Sequence, residues 1–282
     1  MNTMESIVIM AGGASSRMKK SIGGSVLSEE TKQIILSRHK SLIPLGKSQK
    51  PLLFHLIQNA VHAGYKTVYL ITSPENEAFQ QEVGRLQTNN TYAGATVHYA
   101  LQYTPENREK PLGTADAVLQ AMEQYPELQN TTFTVCNGDN LYSRNALTLL
   151  RTSRTTPHAM ISYARSGLQF SNDRIASFAI MDIDTKGFVK QIIEKPDPAL
   201  LHKFHDETNE IRISMNVFSF NGELLYPFVK ECPLHPERGE KELPEAVRRM
   251  ILSHPEGMIS IPLTEHIPDL TSAEDLTTFN SM

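Results

Sequence analysis

The chain has 282 residues, room for one large α/β domain or two small ones at roughly 100–200 residues each, and enough to bury a sizeable core without disulfide staples. Hydrophobic residues make up 40% and charged residues 21%, which excludes a disordered composition, and two cysteines, Cys136 and Cys232, make no disulfide framework and point to a reducing compartment. Lys plus Arg total 27 against 31 Asp plus Glu, a net charge of −4, which speaks against general nucleic-acid or anionic-membrane binding.

Met1-Asn2-Thr3-Met4-Glu5-Ser6 carries no basic residue, the apolar run 7–10 is too short for a signal peptide, and no stretch approaches ~18 apolar residues. A soluble cytoplasmic protein with no membrane segment is expected. Residues 7–10 read as a buried strand ended by Gly12-Gly13. Pro51 opens a helix whose Leu52, Leu53, Leu56, Ile57, Ala60 and Val61 share one face, and Gly64 stands where a C′ glycine would stop it. Strands follow at 67–72, 96–101 and 133–136, with helices at 75–86 and 114–124 between them. This βα rhythm implies a largely parallel sheet covered on both faces.

The second half changes character. Strand-like runs at 158–164, 175–181, 189–193 and 211–220 include a hairpin turn at Asp184-Thr185-Lys186-Gly187, and helices near 222–231 and 241–252 precede a last strand near 258–262. The reading is one domain over 1–282, with a parallel half to residue 150 and a mixed half from 151. Residues 19–39 are polar, serine-rich and long for a βα connection, which marks a functional or mobile loop.

The first turn is Ile9-Met10-Ala11-Gly12-Gly13-Ala14-Ser15-Ser16-Arg17-Met18. Glycines straight after a buried strand let backbone N–H groups approach phosphate oxygens. The spacing is neither that of a dinucleotide fingerprint nor that of a P-loop. Arg17 adds a permanent cation able to grip phosphate through two N–H groups. The bland alternative is a tight βα turn with a surface arginine.

With His39-Lys40-Ser41-Leu42-Ile43-Pro44-Leu45-Gly46 and Lys50-Pro51-Leu52-Leu53, this turn resembles the sugar-1-phosphate nucleotidylyltransferases, or NDP-sugar pyrophosphorylases. Further segments resemble that family in chain order. They are Pro111-Leu112-Gly113-Thr114-Ala115-Asp116-Ala117, Asn137-Gly138-Asp139, Glu194-Lys195-Pro196, Ser214-Met215-Asn216-Val217-Phe218 and Pro268-Asp269-Leu270-Thr271-Ser272-Ala273-Glu274-Asp275-Leu276. Any one is weak; six in order across nearly the whole length are strong.

The resemblance implies an α/β, Rossmann-like nucleotidyltransferase fold with a central mixed, mostly parallel sheet flanked by helices. It implies Mg²⁺-dependent joining of a nucleoside triphosphate to a sugar-1-phosphate, with release of pyrophosphate. Ala11, Gly12, Gly13, Gly113 and Thr114 would then bind the nucleotide. Arg17 and Lys40 would take the triphosphate, Glu194, Lys195 and Asn216 the sugar phosphate, and Asp139 and Asp269 the Mg²⁺. Such chemistry is mostly positioning and charge neutralisation, and two carboxylates plus substrate phosphates suit octahedral Mg²⁺. A homo-oligomer is compatible with the sequence, which fixes neither the oligomeric state nor the base and sugar. The chain ends soon after the last motif, which leaves no room for a C-terminal β-helix or acyltransferase domain.

Each assignment has a bland competitor. Asp139 could be a turn or helix-cap residue, Lys40 a surface lysine, and Glu194-Lys195 a solvated pair at a hairpin end. Asp269 precedes a helix whose expected cap is Thr271 or Ser272, with Glu274 or Asp275 completing a capping box and the Asp269 carboxylate left free. Cys136 reads as a buried small residue, and none of the ten histidines has metal-ligand spacing, so none receives a role. Three departures from the family stand out: Ser15 replaces a glycine, residues 19–39 form an insertion that could close over the nucleotide, and Asp116 stands where many relatives carry a small or neutral residue. Ala-Ser-Ser-Arg-Met also resembles the molybdenum-cofactor nucleotidyltransferases, whose chains are usually shorter. A nucleotide-sugar-dependent glycosyltransferase and a silent regulatory subunit remain as other classes. The first would normally want Asp-x-Asp where this chain has Gly138-Asp139-Asn140, and the second would not need Arg17, Asp139, Lys195 and Asp269 together. A dehydrogenase lacks its glycine fingerprint.

Overall fold

The computed structural model describes residues 4–13, 15–24, 27–85 and 90–280, without the side chains of Thr278 and Asn280. Its chain separates into two compact units. One comprises Glu5–Gln102, Asn137–Leu147 and Ile267–Met282, and the other Met1–Met4, Tyr103–Cys136 and Thr148–His266.

In the first unit, Ile7, Val8 and Ile9 of β1 (Ser6–Met10) are wholly buried, as a strand covered on both faces requires. Its parallel partner β4 (Thr67–Thr72) runs in register from Ser6 opposite Thr67. Beyond β4 lies parallel β6 (Ala95–Leu101), edged by the antiparallel two-residue β5 (Thr91–Tyr92). The connections carry α1 (Ser16–Ser21), α2 (Glu29–Ser37), the small ladder of β2 (Pro44–Leu45) with β3 (Lys50–Pro51), α3 (Leu52–His62) and α4 (Glu77–Val83). Pro51 stands at the N-cap of α3, Leu52, Leu53, Leu56, Ile57 and Ala60 are its buried face, and Gly64 at φ 96° follows its end. The expected helix at 75–86 is shorter than its apolar pattern suggested, and Leu86 lies outside the described residues.

The polar stretch 19–39 is not a loose loop. Ser28 caps α2, its Oγ accepting the Thr31 N–H at 3.2 Å, and Glu29 and Glu30 complement the helix dipole in the first turn. Ile35, 1% exposed, joins a core with Met18, Ile43, Leu45, Leu52, Leu270, Leu276 and Phe279, while Ile22, Leu27 and Ile34 pack against it. The consecutive run Ile34-Ile35-Leu36, of which Leu36 is exposed, shows no helical spacing, so the cap is the readable signal. Ile35→Ala should therefore cost about 2–4 kcal/mol in chemical denaturation. A loss below about 1 kcal/mol would mean that α2 is not anchored.

In the second unit, β11 (Arg212–Asn221) is the hub. It pairs antiparallel with β7 (Thr132–Asn137), β8 (His158–Ala164) and β9 (Ile180–Ile183). A hairpin joins β9 to β10 (Val189–Ile193), and β12 (Met258–Leu263) runs parallel to β8. Asp184 Oδ1 accepts the Lys186 and Phe188 N–H groups, and Gly187 takes φ 88°, so the hairpin turn forms where it was read. Helices α5 (Thr114–Gln124), α8 (Gly222–Lys230) and α9 (Leu243–Ser253) pack on one another. The strand expected at 175–181 is instead the end of α7 (Asn172–Ala176) followed by β9. Ser171 caps that helix, and buried Ile175 lent the run its apolar look. The chain passes from the first unit to the second within α6 (Arg144–Arg151), which the strand and helix patterns had left out.

The parallel first half and mixed second half are thus both present. Cys136 and Cys232 are buried and unbridged. Among the described residues no helix is long and apolar enough to cross a membrane.

Candidate functional site

The turn after β1 begins with the Ala11 N–H donating to the Ile71 carbonyl at 3.0 Å, which extends the β1–β4 ladder by one residue. Gly12 and Gly13 then break it, and the fold itself does not need them to be glycine. A Cβ on Gly13 would meet nothing within 4 Å, one on Gly12 would meet only ordinary contacts at 3.6 Å, and neither residue has a left-handed φ. Gly138 is the opposite case. Its N–H donates to the Met10 carbonyl at 2.9 Å, and a Cβ would sit 2.9 Å from that same oxygen, so only glycine lets Asn137-Gly138-Asp139 lie against the end of β1.

Ser15, which replaces the family's glycine, is held at φ 55°, the left-handed conformation that glycine adopts most easily and that costs other residues about 1–2 kcal/mol. Its Oγ accepts the Lys40 N–H at 3.1 Å, which ties the turn to the far end of the insertion. His39 makes a second tie. Its Nδ1 lies 3.3 Å from the Ser41 N–H, which can only donate, so Nδ1 accepts and the proton sits on Nε2, facing the Gly13 carbonyl at 2.5 Å. The ring also packs on Phe79 with centroids 5.1 Å apart. Metal-ligand spacing could not reveal this role; adjacency to Lys40 was the only hint in the sequence.

Burial pushes the His39 imidazolium down to about 4, with the charges of Lys40 and Lys19 adding to the effect and the Gly13 bond and Asp139 opposing it. The unfolded chain, titrating near 6.5, thus takes up the proton first. Stability from the neutral ring is complete above about pH 6.5 and is lost as the pH falls toward 4. Urea midpoints measured across that window should fall more steeply for the native chain than for His39→Gln. Parallel slopes would remove His39 as the cause.

The segments that carry the two aspartates, far apart in sequence, are brought side by side in the backbone. Asn140 and Asp269 form an antiparallel bridge, the Leu270 N–H donates to the Asp139 carbonyl at 2.8 Å, and the Leu141 N–H to that of Pro268 at 2.9 Å. The Asp139 side chain is not a helix cap. Its Oδ2 accepts a charged hydrogen bond from Lys40 Nζ, and the two side chains are only 17% and 15% exposed. Lys40 is accordingly no surface lysine.

Asp269 is buried at 8% exposure and is not wholly free, because Thr271 Oγ1 lies 3.0 and 2.9 Å from its two oxygens. The capping box expected here is rearranged: Asp275 Oδ2 accepts from the Thr271 and Ser272 N–H groups at 2.8 and 2.6 Å, and α10 (Asp275–Asn280) starts at Asp275 rather than earlier. Among the described residues no group of three or more His, Cys, Asp or Glu could hold a metal. A carboxylate is a donor type that a hard divalent cation accepts, and Asp139 and Asp269 are the ones that these two segments carry. Arg17 is exposed on α1, without an ion pair or hydrogen bond among the described residues. It is near these groups in sequence but not part of their network.

In the second unit, Glu194 and Lys195 follow β10. Lys195 is exposed at φ 47°. Glu194 lines a cavity of about 460 Å³ together with Pro233, Leu234, Arg238, Glu242 and Arg248. Although it reaches solvent, burial raises its carboxyl, helped by the charge of Glu242 and opposed by Arg238 and Lys195. Asn216 sits at φ 53° inside a bulge, where Ser214 to Phe218 of β11 spans only Ser162 to Met160 of β8. It is separated from β10 by β9 in the sheet. Left-handed backbone also occurs at Gln49, Ala93 and Asn209, outside these segments.

Gly113, at φ 110°, is required by packing, since a Cβ would lie 2.5 Å from the Lys241 carbonyl oxygen. Next to it the Ala115 N–H donates to that carbonyl at 2.9 Å, and Thr114 Oγ1 accepts the Leu243 N–H at 2.8 Å at the start of α9. Asp116 is buried and accepts from Gln120 Nε2 at 2.8 Å; Gln120 Oε1 in turn accepts the Tyr103 N–H.

The family described as nucleotidyl transferase matches residues 6–258, a span that stops short of Asp269. Two solved structures share the fold. One is a UDP-glucose pyrophosphorylase complexed with UDP-glucose, with TM-score 0.68 and 14% identity over 99% of this chain and 97% of that one. The other, from Bacillus anthracis, is assigned as a glucose-1-phosphate thymidylyltransferase and holds a sucrose. It has TM-score 0.66 and 17% identity over 98% of this chain and 94% of that one. The mixed, mostly parallel sheet flanked by helices is the Rossmann-like fold of these proteins.

Proposed function

Because the chain belongs to the nucleotidyl transferase family, we propose that it joins a nucleoside triphosphate to a sugar-1-phosphate, giving an NDP-sugar and pyrophosphate. The observation that carries the reading is the Lys40–Asp139 pair, with the Asp269 segment bridged to it through the backbone, beside a glycine turn with open space at Gly13. The two structural neighbours, named for enzymes of glucose-nucleotide chemistry, support a sugar phosphate as the second substrate.

In this reaction a phosphate oxygen of the sugar-1-phosphate attacks the α-phosphorus. The new P–O bond forms as the bond to the β-phosphate oxygen breaks, and pyrophosphate leaves with the electron pair. No proton transfer is needed, so the protein positions anions and offsets their repulsion. Gly12 and Gly13 offer room for close backbone approach from Ala11 onward. Exposed Arg17 is unencumbered and able to grip phosphate in bidentate fashion, and Lys40 supplies a second cation. His39 and Ser15 hold that turn and the Lys40 backbone in register. Asp139 and Asp269 would hold Mg²⁺, which neutralises phosphate charge and polarises the reacting phosphoryl group. Lys195 is assigned to the sugar phosphate, Glu194 and Asn216 to sugar hydroxyls, and Gly113 and Thr114 to the base and ribose. The unbridged buried cysteines suit a reducing compartment such as the cytoplasm.

The test is a pyrophosphate-release screen with Mg²⁺ that crosses the nucleoside triphosphates with a panel of sugar-1-phosphates. The expected result is one productive pair that names both substrates. Hydrolysis or transfer from an NDP-sugar without pyrophosphate would mark a glycosyltransferase instead, and silence from folded protein would mark a binding subunit.

A further inference from the structure

We infer that Lys40 holds the metal's place on Asp139 until a nucleoside triphosphate arrives, so that divalent cation and nucleotide load together. This rests on the metal assignment of the proposed function and goes beyond it.

Three observations combine. Lys40 Nζ is hydrogen-bonded to Asp139 Oδ2, and at 15% and 17% side-chain exposure the pair is poorly screened by solvent. An ammonium in contact with a carboxylate repels a divalent cation that approaches the same oxygens, so the metal cannot bind Asp139 without displacing or opposing Lys40. Second, the described residues give that corner two carboxylates and no larger ligand group, which leaves an octahedral ion short of protein oxygens. Third, the Lys40 backbone is anchored by Ser15 Oγ on its own N–H, and its four-carbon stem has several rotatable bonds through which the ammonium can reach another acceptor. A triphosphate answers each point at once. Its oxygens accept the Lys40 ammonium, which vacates Asp139, and they complete the coordination of the metal. Metal and nucleotide therefore bind with positive coupling, and Lys40 is the group through which they are coupled.

The experiment measures Mn²⁺ binding to the full chain by electron paramagnetic resonance of the free ion, with and without an α,β-methylene triphosphate analogue. The native protein should bind Mn²⁺ weakly alone and about tenfold or more tightly with the analogue. Lys40→Met should bind Mn²⁺ alone about tenfold more tightly than the native protein, and the analogue should add little further. Lys40→Gln should show the same direction, and circular dichroism confirms that each variant is folded. Equal or weaker Mn²⁺ binding by folded Lys40→Met and Lys40→Gln would overturn the inference, as would native protein that binds equally well without the analogue. The double variant Lys40→Met with Asp139→Asn should lose the gain; if it keeps it, the ion is not on Asp139 and the inference falls. Tight binding by Lys40→Met in a protein that releases no pyrophosphate with any substrate pair would uphold the inference while the transfer reaction itself failed.

Discussion

Asp139→Asn is expected to lower turnover by about three orders of magnitude, with the thermal midpoint close to that of the native chain. Asparagine keeps an oxygen that can accept from Lys40, so the ammonium is not stranded, while the negative charge needed for a hard divalent cation is gone. Asp139→Ala should lose the same activity and some stability as well, because it leaves a mostly buried cation without its partner. The contrast between the two variants separates the metal role from the structural one. A rate for Asp139→Asn within tenfold of native would refute the assignment of Asp139 as a metal ligand.

Gly113→Ala should damage the second unit more than its single methyl suggests. The residue sits at φ 110°, where a side chain is strained by about 1–3 kcal/mol, and the new Cβ would lie 2.5 Å from the Lys241 carbonyl oxygen and 3.0 Å from the Lys241 nitrogen. Both neighbours are backbone and cannot swing aside, so the segment before α9 must move. Movement would break the Ala115 to Lys241 and Leu243 to Thr114 hydrogen bonds that join α5 to that segment. The combined loss is about 3 kcal/mol or more in denaturant unfolding. A loss below about 1 kcal/mol would show that the segment relaxes freely and that Gly113 is kept for contact with the nucleotide alone.

Much of the fold was readable where local chemistry is strong. Residues 67–72, 114–124, 158–164 and 189–193 form the elements expected of them, because β-branched runs and a continuous apolar helix face bounded by Gly or polar turns leave few alternatives. The misses have local causes too. Helix α2 bunches its apolar residues into one run, Ile34-Ile35-Leu36, instead of spacing them by three and four, and Ile175 is a helix residue placed just before a strand. The bulge at Asn216 depends on pairing with β8 and leaves no trace in β11 alone.

In the site, the glycine turn and its cations were visible by residue type. The meeting of Asp139 with Asp269 was not, since it is made by backbone pairing between remote segments and was reached through resemblance to the family. The His39 contact to Gly13 was invisible for the same reason. The left-handed φ at Ser15 was equally invisible, since serine carries no local signal for it.

The central claim is that one chain makes a new phosphoanhydride from two phosphorylated substrates. Its most direct measurement is the stoichiometry of products by mass spectrometry, using the productive pair found in the pyrophosphate screen. One NDP-sugar is expected for each pyrophosphate released, and no product from Asp139→Asn over the same interval. Pyrophosphate without an NDP-sugar, or an NDP-sugar still formed at the native rate by Asp139→Asn, would contradict it.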